Sequence, residues 1–381
     1  MAIAFVPKET LPGESRVALT ADGAKRLTAA GLAVTIEPGA GALSLVSDAD
    51  YEKAGGKLAA KDAWSTADLV LKVQPPSLDE AHRLKRGAVL LSFVYAGANR
   101  PAVEALLQGG VSVLAMELVP RITRAQAMDA LSSQATVAGY KAVLIAAERS
   151  PRMFPLLMTA AGTVPPARVV VFGAGVAGLQ AIATAKRLGA VVEATDVRYA
   201  AKEQVESLGG RFIEVPGLSD LEGAGGYAKE ASAEVLARQR EAVGKRVAEA
   251  DVVITTALVP GRPAPKLVSE AMVRSMKPGA VIVDLAVENG GNCELSKLGQ
   301  VVAVHGVTIV GLPNLPASVP VQASELYSKN VLNMVKLMLG EKGLLKTDFQ
   351  DEVLAGALLA HEGRIRHEAT AKTFGLEPAR A

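Results

Sequence analysis

Short apolar runs alternate with amphipathic stretches through the first third of the chain. An apolar period near 3.6 residues is typical of a helix, and a short continuous apolar run is typical of a buried strand. Strands that alternate with helices favour a parallel, doubly wound sheet. Strands are predicted at Ile3–Val6, Ala33–Glu37, Leu69–Val73, Val89–Phe93 and Val111–Ala115. Helices are predicted at Ala21–Ala30, Asp50–Ala54 and Pro101–Gln108.

The same alternation returns after Arg168. Two long helices, Ala125–Arg149 and Ser324–Leu339, are expected to leave the first domain and to return to it. The predicted fold is α/β, with two Rossmann-like doubly wound parallel-sheet domains joined by these crossover helices. The N-terminal domain is expected to comprise residues 1–135 and 325–381, where 341–381 form a terminal helix or tail, and the second domain residues 136–324. Its strands are predicted at Val169–Phe172, Val191–Asp196, Arg211–Glu214, Val252–Thr255, Ala280–Asp284 and Val307–Val310.

Composition restricts the function classes. The chain has 381 residues, of which 50% are hydrophobic, so two aliphatic cores are expected. The net charge is only +2 and there is no long basic run, which argues against nucleic acid as a partner. No uncharged apolar run reaches the ~18–20 residues needed to span a bilayer. Cys293 is the single cysteine and has no flanking His, and no His/Cys spacing predicts a metal site.

A dinucleotide fingerprint follows the strand that begins at Arg168. Gly173 is expected to permit a tight turn, Gly175 to let backbone N–H groups approach a pyrophosphate, and Gly178 to let helix and strand pack closely. Asp196 ends the next strand and can accept hydrogen bonds from ribose hydroxyls, which favours NAD(H) over NADP(H). Arg198 weakens that discrimination. A packing turn without a ligand, and a turn-capping role for Asp196, remain the alternatives.

A polar cluster lies near the start of the helix predicted at Ala125–Arg149. Arg121, Gln126, Asp129 and Ser132 offer guanidinium, amide, carboxylate and hydroxyl groups, and the last three are spaced three residues apart. Such groups can bind a carboxamide and a ribose but are poorly suited to general-base chemistry. Alternatively, Thr123 and Gln126 form a capping box, while Asp129 and Ser132 face water.

Groups for acid–base catalysis are scarce. The four histidines are each expected to be ordinary surface residues: His82, His305, His361 and His367. Lys72, in an apolar run, is either a substrate-binding cation or the exposed end of a strand. Hydride exchange between two nicotinamides needs no acid–base residue at the reacting carbons, because the protein supplies only position.

Several longer motifs together resemble the NAD(H)-binding component of proton-translocating transhydrogenases, which is related to the alanine dehydrogenases. The likeness extends from residue 3 to about residue 340. The segments that carry it are Pro7–Thr20, Arg121–Tyr140, Lys202–Gly210, Gly225–Glu230 and Asp284–Cys293.

The resemblance implies roles for individual residues. Arg121, Asp129 and Ser132 would hold the nicotinamide carboxamide of NAD(H), and Gln126 would reach toward NADP(H) on a partner subunit. The Gly-rich loop 216–229, which carries Tyr227, would close over the cofactor. The cofactor-binding residues implied are Gly173, Ala174, Gly175, Val176, Ala177, Gly178, Asp196, Val197, Arg198, Gly226, Ala257 and Glu288.

The resemblance also implies partners and a location. A membrane-spanning proton-channel subunit and an NADP(H)-binding subunit would complete the complex, because full-length relatives continue into membrane helices and this chain stops first. The chain would form a homodimer in the cytoplasm, peripheral on the inner face of the cytoplasmic membrane. The first alternative is alanine dehydrogenase, whose substrate-binding positions Arg16 and Lys72 match. Gly97 and Glu288, which replace its catalytic His and its Asp, argue against it. The second alternative is a non-catalytic NAD(H)-binding protein.

Overall fold

The computed structural model of the chain describes residues 1–60, 63–214, 233–259 and 262–376. The chain forms two units, Met1–Gln134 with Ala317–Ala381, and Ala135–Pro316. It returns to the first unit at Ala317, whereas the sequence placed that boundary at residue 325.

The strands, in chain order, are β1 Ile3–Val6, β2 Ala33–Ile36, β3 Lys57–Leu58, β4 Leu69–Leu71, β5 Val89–Ser92, β6 Ser112–Ala115, β7 Leu157–Thr159, β8 Gly162–Val164, β9 Arg168–Phe172, β10 Val191–Thr195, β11 Arg211–Phe212, β12 Val252–Thr255, β13 Val281–Asp284, β14 Gln300–Val304, β15 Val307–Gly311, β16 Leu358–His361 and β17 Arg364–Ile365. The α-helices are α1 Ala21–Ala29, α2 Asp48–Lys53, α3 Ala63–Thr66, α4 Leu78–Arg83, α5 Arg100–Gln108, α6 Ala130–Arg149, α7 Val176–Arg187, α8 Ala201–Ser207, α9 Ala233–Glu249, α10 Glu270–Ser275, α11 Pro320–Met338, α12 Glu352–Ala357 and α13 Glu368–Phe374. No helix in the described ranges is both long enough and apolar enough to cross a membrane.

The sheet of the first unit has the strand order β17-β16-β6-β5-β4-β1-β2-β3. β1 pairs in parallel with both β2 and β4, so the direction of chain progression reverses between β1 and β4. β16 joins β6 in antiparallel orientation and pairs with β17. The prediction of a terminal helix or tail at 341–381 is therefore wrong. The apolar run Leu358–Ala360 is too short to identify a strand without its partner β6.

The sheet of the second unit has the order β11-β10-β9-β12-β13-β15-β14. Its first strand, β9, pairs in parallel with both β10 and β12, so the switch point lies between β9 and β12. The antiparallel edge strand β14 was not predicted. It forms a hairpin with β15 through His305 and Gly306, whose φ values of 54° and 78° are the left-handed values of a type I′ turn. The predicted α/β class with parallel-rich sheets is confirmed.

The long helix predicted from Ala125 begins five residues later. A 3₁₀ helix, Thr123–Met128, precedes α6, which starts at Ala130. The break occurs because the Asp129 carboxylate accepts the backbone N–H of Ser132 at 2.9 Å, the contact of an N-cap residue with the third helical position. The spacing of apolar residues is the same for an interrupted helix and for a continuous one, so the sequence pattern could not reveal this break.

Buried ion pairs lie at the carboxyl ends of β1 and β4 in the first unit. Lys72 is 1% exposed, and its ammonium lies 3.2 Å from Glu9 and 3.3 Å from Glu80. The alternative that Lys72 is the exposed end of a strand is therefore wrong. Arg16 binds both carboxylate oxygens of Glu14, at 2.8 and 2.6 Å. Burial alone would raise the pKa of Glu14, but hydrogen bonds and charge attraction from Arg16 outweigh it and lower the pKa to about 2.

The Glu14–Arg16 pair predicts a pH-dependent stability difference. Because the folded-state pKa of Glu14 is about 2 against an ordinary 4.5, its contribution is complete above pH 4.5 and is lost as the pH falls toward 2. Glu14→Gln should cost about 3–5 kcal/mol of unfolding free energy near neutral pH, since Arg16 loses its buried partner. The difference from the native chain should shrink by about 1.4 kcal/mol between about pH 6.5 and about pH 3.5.

Urea unfolding at the two pH values measures that difference. Glu104→Gln is the matched control, because its ion pair with Arg100 is about half exposed on both sides and should change stability by less than about 1 kcal/mol. A Glu14→Gln deficit that stays constant over this pH range would contradict the prediction.

Candidate functional site

The glycine turn of the second unit connects β9 to α7 at the switch point of the sheet. Gly173 has φ +94°, which an L side chain rarely adopts, so the tight turn predicted there is present. A Cβ at Gly178 would lie 1.8 Å from the Gly173 carbonyl oxygen. Only glycine at 178 therefore lets α7 begin this close to the strand end, as the sequence predicted.

The N-terminus of α7 faces open space. Gly175 is exposed, and a Cβ placed on it would have no neighbour within 4 Å. Gly175 is the N-cap residue and no side chain of the described part of the chain caps the helix there. The first N–H groups of a helix have no intrahelical acceptor and carry partial positive charge. This end of α7, with Val176 and Ala177 in its first turn, can therefore bind an anionic group of a ligand.

Asp196 follows β10, beside the turn, and is 8% exposed. Its Oδ2 accepts the Ala174 N–H at 2.7 Å and an Arg198 guanidinium N–H at 3.0 Å. Its Oδ1 accepts the backbone N–H of Arg198 at 2.8 Å and the guanidinium Nε–H at 3.0 Å. The turn-capping role is therefore present. A carboxylate has about four acceptor positions, so a ribose hydroxyl reaches Asp196 only if Arg198 gives up a contact. Val197 between them is half-buried.

The end of β12 lies across the switch point from the glycine turn. The Thr256 hydroxyl donates to the Phe172 and Gly173 carbonyl oxygens, at 3.1 and 3.2 Å, and so ties the two strand ends together. Ala257 comes next and is half-buried. Sequence reasoning selected Ala257 and missed Thr256, because a Thr at the end of an apolar strand carries no signal of a partner distant in sequence.

The polar cluster of the first unit lies on the 3₁₀ helix and the start of α6. Asp129 and Ser132 contact each other, with the Ser132 hydroxyl donating to Asp129 at 2.5 Å, and both are half-buried. Arg121 and Gln126 are exposed. The N-cap of the 3₁₀ helix is Ile122 and no side chain caps it there, so the predicted Thr123–Gln126 capping box is absent.

Buried groups hold this polar segment in place from below. Ala125 and Met128 pack into the core of the first unit. From α11, Asn330 donates to the Ala127 carbonyl oxygen at 2.9 Å and accepts from the Ser133 hydroxyl at 2.7 Å. The segment is thereby fixed with its polar side chains outward, an arrangement suited to binding and orienting a ligand. Sequence reasoning missed Asn330, which lies about 200 positions away in the sequence.

Two predicted residues, Tyr227 and Gly226, lie outside the described ranges. Glu288 is exposed on a 3₁₀ turn, where its carboxylate accepts the Asn314 N–H at 3.4 Å.

Cys293 is buried, and burial raises the pKa of its thiol, which disfavours the thiolate that a nucleophile requires.

Comparison with known proteins defines the family. Residues 5–138 match "Alanine dehydrogenase/PNT, N-terminal domain", and residues 142–368 match "Alanine dehydrogenase/PNT, C-terminal domain". The chain belongs to the alanine dehydrogenase/transhydrogenase family. A Rhodospirillum rubrum protein, named as the first portion of an NAD(P) transhydrogenase subunit alpha, is 52% identical over 374 residues, covering 96% of this chain and 97% of that protein. The alanine dehydrogenase of Mycobacterium tuberculosis is 35% identical over 388 aligned positions, covering 98% of each.

A solved structure gives the same placement within the alanine dehydrogenase/transhydrogenase family. The transhydrogenase from Sinorhizobium meliloti superimposes with a TM-score of 0.88 at 47% identity, covering 95% of this chain and 99% of that one. The relatives named as transhydrogenases are thus more similar to this chain than the alanine dehydrogenase is. The enzyme class is that of the transhydrogenases, which are oxidoreductases.

The resemblance places the catalytic His of alanine dehydrogenases at position 97, where this chain has Gly97. Gly97 is exposed, and a Cβ placed there would meet no atom within 4 Å. A side chain could therefore begin at position 97 without displacing a neighbour in the described part of the chain. Arg16 and Lys72, which the resemblance matches to substrate-binding positions of alanine dehydrogenases, are both buried and paired with carboxylates of the same unit.

Gly139 also makes a close backbone contact, and this contact predicts the effect of replacing it with alanine. In α6, a Cβ at Gly139 would lie 2.1 Å from the Ala177 carbonyl oxygen in the first turn of α7. Gly139→Ala should therefore lower unfolding stability by about 1–3 kcal/mol, because α6 and α7 must separate. Gly244→Ala in α9 is the control, since its Cβ would meet only a methionine methyl at 3.9 Å.

The control should stabilise the chain by up to about 1 kcal/mol, the helix-propensity gain of Ala over Gly. Thermal unfolding of both variants measures the difference. Equal shifts in the two variants would show that the close approach of α6 to α7 carries no cost.

Proposed function

We propose that this chain is the NAD(H)-binding subunit of a proton-translocating NAD(P) transhydrogenase. The observation that carries the proposal is the N-terminus of α7, which no described side chain caps and which Gly173 and Gly178 hold at the switch point. In this proposal the N–H groups after Gly175 bind the pyrophosphate of NAD(H). Val176, Ala177, Val197 and Ala257 contact the nucleotide around that turn, and Gly226 and Tyr227 belong to a loop that closes over it.

The polar cluster supplies orientation in this proposal. Arg121 donates to the carboxamide oxygen of the nicotinamide, and the carboxylate of Asp129 accepts from its amide. The hydrogen bonds from Ser132 fix the orientation of that carboxylate. Bound NADH supplies a hydride at its nicotinamide ring, and NADP⁺ on a partner subunit accepts it. No group of the chain has to move a proton in that step, which suits the absence of an imidazole at position 97.

The partners and the location belong to the same proposal. An NADP(H)-binding subunit accepts the hydride, and a membrane-spanning subunit couples the transfer to proton movement. The chain itself acts as a homodimer on the inner face of the cytoplasmic membrane, held there through these subunits. Support comes from the relatives, whose name "NAD(P) transhydrogenase subunit alpha" describes one subunit of a larger enzyme.

Asp196 gives the expected preference for NADH over NADPH, because a carboxylate repels a 2′-phosphate. Its ion pair with Arg198, at 3.0 Å, reduces the net negative charge near the ribose. We therefore expect a preference that is real but smaller than an unpaired carboxylate would give. Binding of NADH involves a rearrangement of the Arg198 side chain, since its guanidinium fills acceptor positions that the ribose hydroxyls require.

Reconstitution tests the proposed function. The purified chain should bind NADH more tightly than NADPH by calorimetry, and alone it should transfer no hydride. Mixed with an NADP(H)-binding subunit, it should reduce an NAD⁺ analogue at the expense of NADH in a cycle through bound NADP(H). Alanine-dependent reduction of NAD⁺ by the chain alone would instead identify an amino-acid dehydrogenase. Binding without transfer after the partner is added would identify a non-catalytic NAD(H)-binding protein.

Gln126 provides a sharper test of the polar cluster. Its side chain is exposed, and no described residue hydrogen-bonds its amide. In the proposal this amide contacts the nucleotide on the partner, so Gln126→Ala should lower the transfer rate in the reconstituted complex by about tenfold or more. The affinity for NADH, measured by fluorescence titration, should stay within about twofold of the native value.

Thr123→Ala is the matched control, because Thr123 is exposed on the same 3₁₀ helix. It should retain native transfer rates. Native activity in Gln126→Ala would remove Gln126 from the mechanism, and a parallel loss of NADH affinity would place its contact on the nucleotide of this chain instead.

A further inference from the structure

The segment between Asp284 and Cys293 contains a buried asparagine that the mechanism above does not use. Asn292 is 0% exposed and lies after the carboxyl end of β13. Its side-chain Oδ1 accepts the backbone N–H of Ala257 at 3.0 Å, and its Nδ2 donates to the Ala257 carbonyl oxygen at 2.9 Å. The same Nδ2 donates to the Pro265 carbonyl oxygen at 2.8 Å. One amide thus holds both backbone polar groups of Ala257.

Asn292 is itself anchored by a buried carboxylate. Asp284 is 1% exposed, and its Oδ1 accepts the backbone N–H of Asn292 at 3.2 Å. Its Oδ2 accepts the Cys293 N–H at 3.0 Å and the Ser296 hydroxyl at 2.6 Å. A Cβ at Gly291 would lie 2.7 Å from that Oδ2. The Asp284 carboxylate therefore holds the Gly291–Cys293 backbone close to the end of β13.

The hydrogen bonds from Asn292 to Ala257 and Pro265 form a clamp. This clamp lies at the crevice outside the carboxyl ends of the strands. Ala257 follows β12, which lies across the switch point from the glycine turn, and its backbone nitrogen would be 3.4 Å from a Cβ at Gly173. In doubly wound folds ligands bind in the crevice outside the carboxyl ends of the strands at this point. Without Asn292 the N–H of Ala257 would have no acceptor in the described part of the chain.

We propose that Asn292 is a positioning residue for cofactor binding, which fixes the wall of the crevice opposite the glycine turn before the nucleotide arrives. The inference rests on the proposed function, because it assigns the crevice to NAD(H). Both polar groups of Ala257 are taken by Asn292. The Ala257 N–H is therefore not available as a donor to the cofactor, and the residue presents its methyl group beside the pyrophosphate site.

The clamp needs an amide in particular. Aspartate has the same shape but no N–H, so Asn292→Asp would set a carboxylate against the carbonyl oxygens of Ala257 and Pro265. Asn292→Ala removes the clamp without adding a charge and leaves the two carbonyl oxygens and the Ala257 N–H unpaired by a side chain. Both variants should free the segment after β12, the aspartate more strongly.

Affinity for NADH at matched stability separates positioning from simple structural support. Asn292→Ala in the full chain should raise the Kd for NADH about tenfold, because the freed segment after β12 must then be ordered when the nucleotide binds, and Asn292→Asp should raise it further. Two controls should leave the Kd within about twofold of native. Val253→Ala lowers stability from the core of β12, and Ser296→Ala removes one contact of Asp284 and none of Ala257.

Hydrogen exchange of the native chain adds a measurement that needs no variant. The Ala257 amide should exchange slowly without nucleotide, because a buried side chain already holds it. Fast exchange that slows only when NADH is added would overturn the inference. So would native NADH affinity in Asn292→Ala, or an equal loss of affinity in Val253→Ala. If the native chain binds no NADH, the proposed function fails and this inference fails with it.

Discussion

The contact between the Gly178 backbone and the Gly173 carbonyl oxygen is the constraint on which the second unit depends. Any side chain at 178 would overlap that oxygen, with 1.8 Å between them. Because there is none, α7 begins directly at the end of β9, and its first N–H groups open into the crevice. Residues that follow the two neighbouring strands hold this turn in place. Asp196 fixes the turn from β10 and Thr256 fixes it from β12.

The two units share a topology and differ in how the crevice is filled. Each sheet reverses beside its first strand, between β1 and β4 in one and between β9 and β12 in the other. In the first unit, Lys72 and Arg16 satisfy buried carboxylates at that edge, and burial raises the pKa of Glu9 in spite of the neighbouring Lys72. In the second unit, the edge offers backbone N–H groups of α7 that no described side chain caps. The first N–H groups of α7 can therefore bind an anionic ligand in the second crevice.

Sequence patterns could predict features whose cause is local, and they failed where the partner is distant. The turn at Gly173 and the close packing at Gly178 follow from the fingerprint, because the role of each glycine depends on residues only a few positions away in the sequence. The β16 strand depends on β6, some 250 positions earlier, and the support of the polar cluster depends on Asn330 of α11. Asp196 is an intermediate case. Its position was predictable, but the occupation of its acceptor sites by Arg198 depends on a side-chain conformation that no spacing rule specifies.

The contacts that each polar group already makes bear on whether this chain suits hydride transfer or amino-acid oxidation. An amino-acid dehydrogenase must take a proton from its substrate, and a general base must lie within reach of the group that loses that proton. At position 97, where the resemblance places the base of the alanine dehydrogenases, this chain has a glycine. Asp129 has both oxygens engaged by Ser132, which fixes its orientation and suits it to hold an amide. A carboxylate held in this way fits the proposed role of orienting a nicotinamide ring, because hydride transfer between two nicotinamides requires position and no proton acceptor at the reacting carbons.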